Sequence, residues 1–390
     1  MIKATRTQWI KFAVVLALYL IFLVWLRSWL GLVVVPFIFD AYITKKIPWT
    51  WWRKSKNRHV VTVMGWVDAI VFALVAVYFV NLYFFQNYVI PSSSLEKSLL
   101  TGDYLFVSKM SYGPRVPQTP LHMPLAQHTL PFFNCKSYLE HPQWDYKRVK
   151  GLGDVQLNDI VVFNFPAGDT VATGVPNDDV YRLSYGAGKE LAKPVDLASM
   201  TPEQQRVVYD YYYQLGREYL KENPQNFGEI ISRPVDRREN YVKRCVGLPG
   251  QTLEIKDRII YLDGKANKEP DNVQYRYLVK TKRPIPDDLA HELGISKEDM
   301  MMYYTDASVY NMPLTEKAKA GLLARKDIVV SIENTPADDA GGLYPLNMYK
   351  NWTTDNYGPV WIPKKGETVK LTIENLPVYE RPIHVYEGNE

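Results

Sequence analysis

Two long apolar runs open the chain. Trp9 to Leu26 is interrupted only by Lys11, and Val60 to Phe85 carries Asp68 and Asn81 as its strongly polar residues. As helices rising 1.5 Å per residue, both are long enough to cross a hydrocarbon layer of about 30 Å. A third run between them, Trp29 to Phe39, contains Pro36 and is too short to span alone. It extends the first helix, re-enters, or lies in the interface. A cleaved leader does not fit, since the runs are too long and the second is internal. Asp68 is expected to be an interface or helix-packing residue rather than a working intramembrane charge.

From Tyr104 the period shortens. Apolar runs at Tyr104–Val107, Asp159–Phe165, Tyr241–Val246, Thr252–Ile255, Ile259–Leu262 and Val369–Ile373 are separated by turn residues, and Asp263-Gly264 is a hairpin signal. Leu376 to Glu390 returns to strand-like spacing. Two stretches have helical spacing instead. Thr201 to Asn223 opens with a Thr201/Gln204 capping box and sets Val208, Tyr211, Tyr212, Leu215 and Tyr219 near one face. Arg283 to Lys326 holds short helices through Pro286–Leu293 and Leu314–Ala320. The expected architecture is N-terminal transmembrane helices followed by a mostly antiparallel β domain with α-helical insertions. Its segments are an anchor at 1–87 with a basic loop at 40–59, β-domain halves at 88–169 and 239–280, insertions at 170–238 and 281–355, and a return to the β domain at 356–390.

Charge orients the anchor. Lys45 to His59 holds six Lys or Arg and no acid, beside Trp49, Trp51 and Trp52. Such a loop stays cytoplasmic, with the tryptophans at the headgroups, so the chain from Pro91 emerges on the far side. Lys3, Arg6 and Lys11 also favour the cytoplasm, which a single span before the loop would not allow; the N-terminal orientation stays open. Over the 390 residues the net charge is only +4, so no nucleic-acid partner is expected. Cys135 and Cys245 form no disulfide framework or zinc pattern and read as small buried hydrophobes. The six histidines include no His-x-x-x-His pair, so neither a metal nor another cofactor is expected.

The chemistry gathers at Val89–Asp103, where Pro91 precedes Ser92, Ser93 and Ser94 at the mouth of the second long run. Ser94 lies only nine positions beyond Phe85. A serine nucleophile needs a base, and no histidine lies in a stretch that looks like a site. Lysine serves if burial lowers its pKa from about 10.4. Lys97 gives Ser94-x-x-Lys97, the spacing of penicillin-binding enzymes, but Thr101-Gly102-Asp103 ends any helix there and the companion Ser-Asp-Asn and Lys-Thr-Gly motifs do not occur. Lys243 lies in Asn240–Gly250, a strand pattern closed by a Leu-Pro-Gly turn. Alternation sets Tyr241, Lys243 and Cys245 on one face. By itself this is compatible with a solvated strand lysine.

Several segments in order resemble the type I signal peptidases. They are the membrane exit, Pro91-Ser-Ser-Ser-Leu95 with Gly102-Asp103, Lys109–Arg115, Asn158–Pro166 and Tyr241–Gly250. The resemblance implies a membrane-bound serine endopeptidase that cuts signal peptides from exported preproteins after a small-x-small motif. In that reading Ser94 is the nucleophile, Lys243 the general base, and Ser92 an oxyanion donor beside the Ser94 N–H. The 88–169 segment becomes the nucleophile half and 239–280 the base half. Partners would be signal-peptide-bearing preproteins and the lipid bilayer, with the catalytic domain on the extracytoplasmic side of the plasma (inner) membrane. The shallow pockets expected for small side chains would draw on Tyr104–Val107 and Val161–Phe163. Leu95 stands where the family has Met. A bracing segment resembling Gly-Asp-Asn-Arg-x-x-Ser-x-Asp-Ser-Arg does not occur; Asp271-Asn272 and Thr354–Pro359 lack its Arg and serines. The expectation is a C-terminally incomplete sequence. The alternative is a non-catalytic, membrane-tethered scaffold that binds preproteins.

Overall fold

The computed structural model describes residues 4–133, 135–175, 179–301, 304–306, 308–337 and 342–386. They fall into two compact units. One comprises Met1–Val89, Tyr104–Val155 and Pro234–Arg238; the other comprises Ile90–Asp103, Gln156–Arg233 and Glu239–Glu390.

In the first unit, α1 (Arg6–Leu26) starts from a capping box in which Thr5 and Gln8 exchange side-chain and backbone bonds, and it stops at Arg27 in the left-handed region. Asn57 caps α2 (Arg58–Tyr83). Both helices are long and apolar enough to cross a membrane, and their apolar surfaces are open, with Phe72 75% and Val24 72% exposed. Phe22 packs against Phe79 and Tyr83 with ring centroids 5.0 and 5.3 Å away. Both contacts join C-terminal ends, so α1 and α2 run in the same direction.

Parallel helices need a returning segment, and the apolar stretch Leu30–Thr44 supplies it. Tyr19 Oη donates to the Gly31 carbonyl at 2.7 Å, while Phe39 meets Phe12 and Trp9 at 5.4 and 6.2 Å. The segment therefore runs back along α1. Asp40 closes its end, accepting from Lys46 N at 2.8 Å, Ile47 N at 3.1 Å and Trp49 Nε1 at 3.2 Å, and from the Thr44 hydroxyl. This up-down-up course brings the start of α1 and the basic loop to one end, which the pattern of charges alone left unresolved. Asp68 faces Arg53 at 3.6 Å, a packing partner at that end. Beyond α2, strands β1 (Phe85–Val89) and β2 (Tyr104–Ser108) pair antiparallel, from Phe85↔Ser108 to Val89↔Tyr104. Gly113 is required in its turn, because its φ is 86° and a Cβ would lie 1.8 Å from the Val149 carbonyl oxygen.

In the second unit, β3 (Ile160–Asn164) pairs antiparallel with β4 (Asn240–Arg244). The helices α3 (Val180–Leu191) and α4 (Pro202–Glu222) pack so closely that a Cβ on Gly188 would lie 1.8 Å from the Tyr212 carbonyl oxygen, and one on Gly216 1.8 Å from that of Ser184. The capping box at Thr201 forms as expected, but the buried face is Tyr212, Gly216 and Leu220. Tyr211 is 56% exposed, because the small residue that admits α3 sets the face, not the largest side chains.

Two four-stranded antiparallel sheets complete this unit. One orders Lys265–Ala266, Ile259–Leu262, Thr252–Lys256 and Tyr357–Trp361; the other orders Tyr304–Asp306, Val309–Thr315, Gln274–Thr281 and Val329–Asn334. Val279, Met312, Leu314, Leu322 and Ile328 form the fully buried centre of the second. Asp263 and Gly264 both take positive φ, 50° and 78°, the type I′ geometry their dipeptide signals. Arg258 holds the two sheets together, donating to Asp355 Oδ2 at 2.9 Å, the Arg276 carbonyl at 3.1 Å and the Thr335 carbonyl at 2.9 Å.

Four expectations change. The helical reading holds at Asp287–Glu292 and Glu316–Ala324, but Val309–Thr315 between them is a strand; its alternate buried positions Tyr310, Met312 and Leu314 have period 2. Val369–Ile373 is not a strand, and Leu371 there is 45% exposed with no strand beside it. Leu376–Arg381 is an α-helix continued by a π turn over Pro382–Tyr386, with Pro377 in its first turn, where a missing N–H costs no helical bond; 387–390 lie outside the described residues. Cys135 is exposed rather than buried, and Cys245 is half-buried; both are free thiols.

Candidate active site

The serine stretch is a closed excursion of the chain. Ile90 N donates to the Asp103 carbonyl at 3.0 Å and Gly102 N to the Ile90 carbonyl at 2.9 Å. Gly102 takes a φ of 92° to make that return, and the Asp103 carboxylate accepts from Leu100 N at 2.8 Å. Within the excursion a single 3₁₀ turn covers Ser93–Leu95. Ile90 and Leu95 are 3% and 8% exposed, so apolar anchors flank the serines while Ser92, Ser93 and Ser94 face solvent. Leu95 does the anchoring a methionine would do at that position.

Strand β4 supplies the lysine. Lys243 Nζ donates to Ser94 Oγ at 2.5 Å, a contact between residues far apart in sequence. Lys243 sits opposite Val161 of β3, so the two side chains share a face. Tyr241, two residues back on that face, packs its ring 4.5 Å from Phe165. Burial alone lowers the Lys243 amine below its ordinary value. Lys243 is nonetheless exposed by area, so the shielding is partial. Among the described residues no carboxylate pairs with it. Partial desolvation with no carboxylate partner favours the neutral amine relative to a fully solvated lysine.

Arg244, next along β4, was not singled out from the sequence. Its guanidinium donates to Ser98 Oγ at 3.0 Å and to the Asn158 carbonyl at 2.8 Å, and Asn158 turns at a φ of 69° to present that carbonyl. One side chain thus ties the serine excursion to the β3–β4 ladder, one residue away from Lys243. The signal was present in the Lys243-Arg244 pair and in Ser98 of the Val89–Asp103 stretch, but nothing local links them. With Ser94 as the nucleophile, replacing Arg244 by Met is expected to lower kcat roughly ten- to a hundredfold through misplacement of Ser94, with KM little changed and the melting temperature nearly kept. Steady-state kinetics beside a thermal melt check this; equal loss in Ser98→Ala and Arg244→Met would assign the whole effect to that one bond.

Other sequence-derived candidates fall differently. Ser92 is extended, with φ −146° and ψ 158°, and its side chain makes no capping bond, leaving the hydroxyl available. Lys97 takes a φ of 67° past the 3₁₀ segment Ser93–Leu95, so no helix carries Ser94 and Lys97 on one face and the penicillin-type pairing loses its basis. Lys109 is depressed further than Lys243, to about 8, by burial and then by Arg115, Arg148 and Arg237. Its perturbing neighbours are guanidiniums, so perturbation alone does not make it a base. Asp355 braces Arg258, a tie between sheets. Among the described residues no cluster of His, Cys, Asp and Glu could hold a metal ion.

Residues 63–299 match the family described as signal peptidase, peptidase S26. A signal peptidase I of Helicobacter pylori (strain ATCC 700392 / 26695) is 42% identical over 56 residues, which is 14% of this chain and 18% of that protein. Signal peptidase I P of Bacillus subtilis subsp. natto is 27% identical over 103 residues, 26% of this chain and 52% of that protein. Signal peptidase I of Rickettsia prowazekii (strain Madrid E) is 24% identical over 165 residues, 39% of this chain and 56% of that protein. The chain thus spans from 18% to 56% of the length of these curated relatives. No solved structure matches it.

Proposed function

Because the chain belongs to the signal peptidase family, peptidase S26, we propose that it is a membrane-bound serine endopeptidase that removes N-terminal signal peptides from exported preproteins. The observation that carries this reading is the 2.5 Å contact between Lys243 Nζ and Ser94 Oγ. With its amine neutral, Lys243 takes the Ser94 proton as Oγ attacks the carbonyl carbon of the scissile bond. The oxyanion forms beside the Ser94 backbone N–H and the Ser92 hydroxyl. Lys243 then gives its proton to the departing amine, and as the free amine again it activates the water that releases the acyl group.

In this proposal α1, the returning segment Leu30–Thr44 and α2 form the anchor, with the N-terminus and the basic loop in the cytoplasm and the serine excursion outside it. The shared end of the N-terminus and the loop supports that orientation, since Arg6 and Lys11 then follow the same charge rule as the loop. Signal peptides present a small-x-small cleavage site just beyond an apolar segment, and the short chain from α2 to Ser94 suits that height. Val161, opposite Lys243, is a candidate wall for the small residue.

The test is processing of a preprotein by the full-length protein in lipid vesicles. A substrate with Ala at the last signal-peptide position and two before it should be cut, and Leu at the last position should lower kcat/KM at least a hundredfold. Binding without cleavage would establish the non-catalytic scaffold instead. Cleavage indifferent to those two positions would overturn the signal-peptide assignment.

A further inference from the structure

From Val116 to Cys135 the chain carries no Asp, Glu, Lys or Arg. This uncharged stretch forms a loop in the first unit, and its outer side chains are uncovered. Phe132 is 101% exposed, Phe133 77%, Leu125 74% and Met123 55%. Such a cluster on a water-facing loop is unfavourable unless something apolar covers it. Part of the backbone is nonetheless bonded internally. Bridges join His122↔Tyr138 and Thr129↔Lys136, and bonds run from Met123 N to the Ser137 carbonyl at 2.7 Å and from Leu130 N to the Cys135 carbonyl at 2.9 Å. The root is fixed as well, since Asp236 Oδ2 accepts from Gln118 N and Thr119 N, both at 3.0 Å. The loop therefore has a bonded root, partial internal backbone bonding and an apolar tip.

Its height is set by α2. Tyr78 Oη donates to the Pro120 carbonyl at 3.4 Å and its ring lies 4.9 Å from that of His122. Leu74 and Val75 form the helix side of a groove of about 720 Å³ whose other wall is the loop. Tyr78 and Leu74 precede the last residue of α2 by five and nine positions, which is about 8 and 13 Å along a helix axis. The loop therefore lies beside the last turns of α2 rather than past its end.

We propose that Leu121–Phe133 is a membrane-docking lobe whose apolar tip enters the outer leaflet at the boundary between headgroups and acyl chains, held there by Tyr78. This rests on the reading of α2 as a membrane span. The occupant is lipid because a segment fastened to the flank of a spanning helix, inside its exit, is already at bilayer depth. The absence of charge is what that depth requires.

Cys135 is exposed and next to the tip, so it can report directly. In a Cys245→Ser variant of the full-length protein, Cys135 is labelled with an environment-sensitive fluorophore and placed in phosphatidylcholine/phosphatidylglycerol vesicles carrying quenchers at shallow or deep acyl positions. Control labels, with both native cysteines replaced by Ser, go on Val71→Cys in α2 and Lys221→Cys in α4. The Cys135 label should be quenched severalfold better by shallow lipid quenchers than by aqueous iodide, the Val71 site by deep quenchers, and the Lys221 site by iodide alone. Adding Phe132→Ser and Phe133→Ser should shift Cys135 toward iodide; an unchanged profile overturns the lobe. A Cys135 label open to iodide while Val71 is quenched by lipid also overturns it, leaving the spanning helix intact. Protection of Cys135 from both quenchers assigns the surface to a protein and overturns the lipid occupant. A Val71 label open to iodide overturns the membrane reading itself.

Discussion

Ser94→Ala is expected to abolish processing of a preprotein, lowering kcat by roughly 10⁴- to 10⁶-fold while binding and folding persist. The alanine removes only the oxygen that receives the Lys243 Nζ bond at 2.5 Å. The backbone of the excursion is closed by Ile90, Gly102 and Asp103 and anchored by buried Leu95, none of which depends on the hydroxyl. Ser94 faces solvent, so the melting temperature should stay within about a degree. Its neighbours provide the internal comparison. Ser92→Ala should cost about 10²–10³ in kcat, the loss of one oxyanion donor, and Ser93→Ala should be nearly silent. Single-turnover kinetics on a preprotein, with the three variants side by side, give the ranking. A Ser94→Ala enzyme that still cuts at the parental rate would remove Ser94 as nucleophile. A large loss in Ser93→Ala would shift the assignment one residue along the turn.

Those three serines also show how far the sequence could be read. The strand carrying Lys243, the Gly102-Asp103 return and the Asp263-Gly264 hairpin are local events, set by alternation and by residues that tolerate positive φ, so they are legible from neighbouring positions. The capping box at Thr201 is legible for the same reason. Which face of α4 is buried is not, because Gly216 and Gly188 decide it from two different helices. Arg244 and Ser98 meet across a separation of 146 residues, and no local pattern announces such a bond. The parallel course of α1 and α2 follows from the contacts of Phe22 and Phe39, whereas hydropathy reports only that apolar segments exist. The miss at Val309–Thr315 has a similar source. Asn311 and Pro313 break the look of a strand, yet they occupy its less buried positions while Met312 and Leu314 fill the core.

The second large effect concerns Lys243 and is best read through pH. Lys243→Met keeps an apolar stem of similar length and removes the amine, so kcat should fall about as far as in Ser94→Ala, because the two act as one unit. The parental enzyme should lose activity tenfold per pH unit on the acid side, since only the neutral amine accepts the Ser94 proton, and level off above the Lys243 pKa. That pKa is lowered from 10.5 by burial, so the plateau begins below pH 10.5. The residual rate of Lys243→Met should be flat through the same range. An acid limb that survives Lys243→Met would assign the titration to another group and remove Lys243 as base. Because the cause is desolvation rather than a neighbouring charge, added salt should leave the limb in place, whereas an ion-paired base would shift. Substrate covering the partly exposed amine takes more water from it, so the limb in kcat should lie at lower pH than the limb in kcat/KM. Stability moves with the same sign. The folded state holds its Lys243 proton less tightly than the unfolded chain, so this residue's contribution rises with pH between the folded pKa and 10.5 and is lost as pH falls through the folded pKa. Lys243→Met should therefore be no less stable than the parent at neutral pH, the behaviour of a residue kept for its chemistry at some cost to the fold.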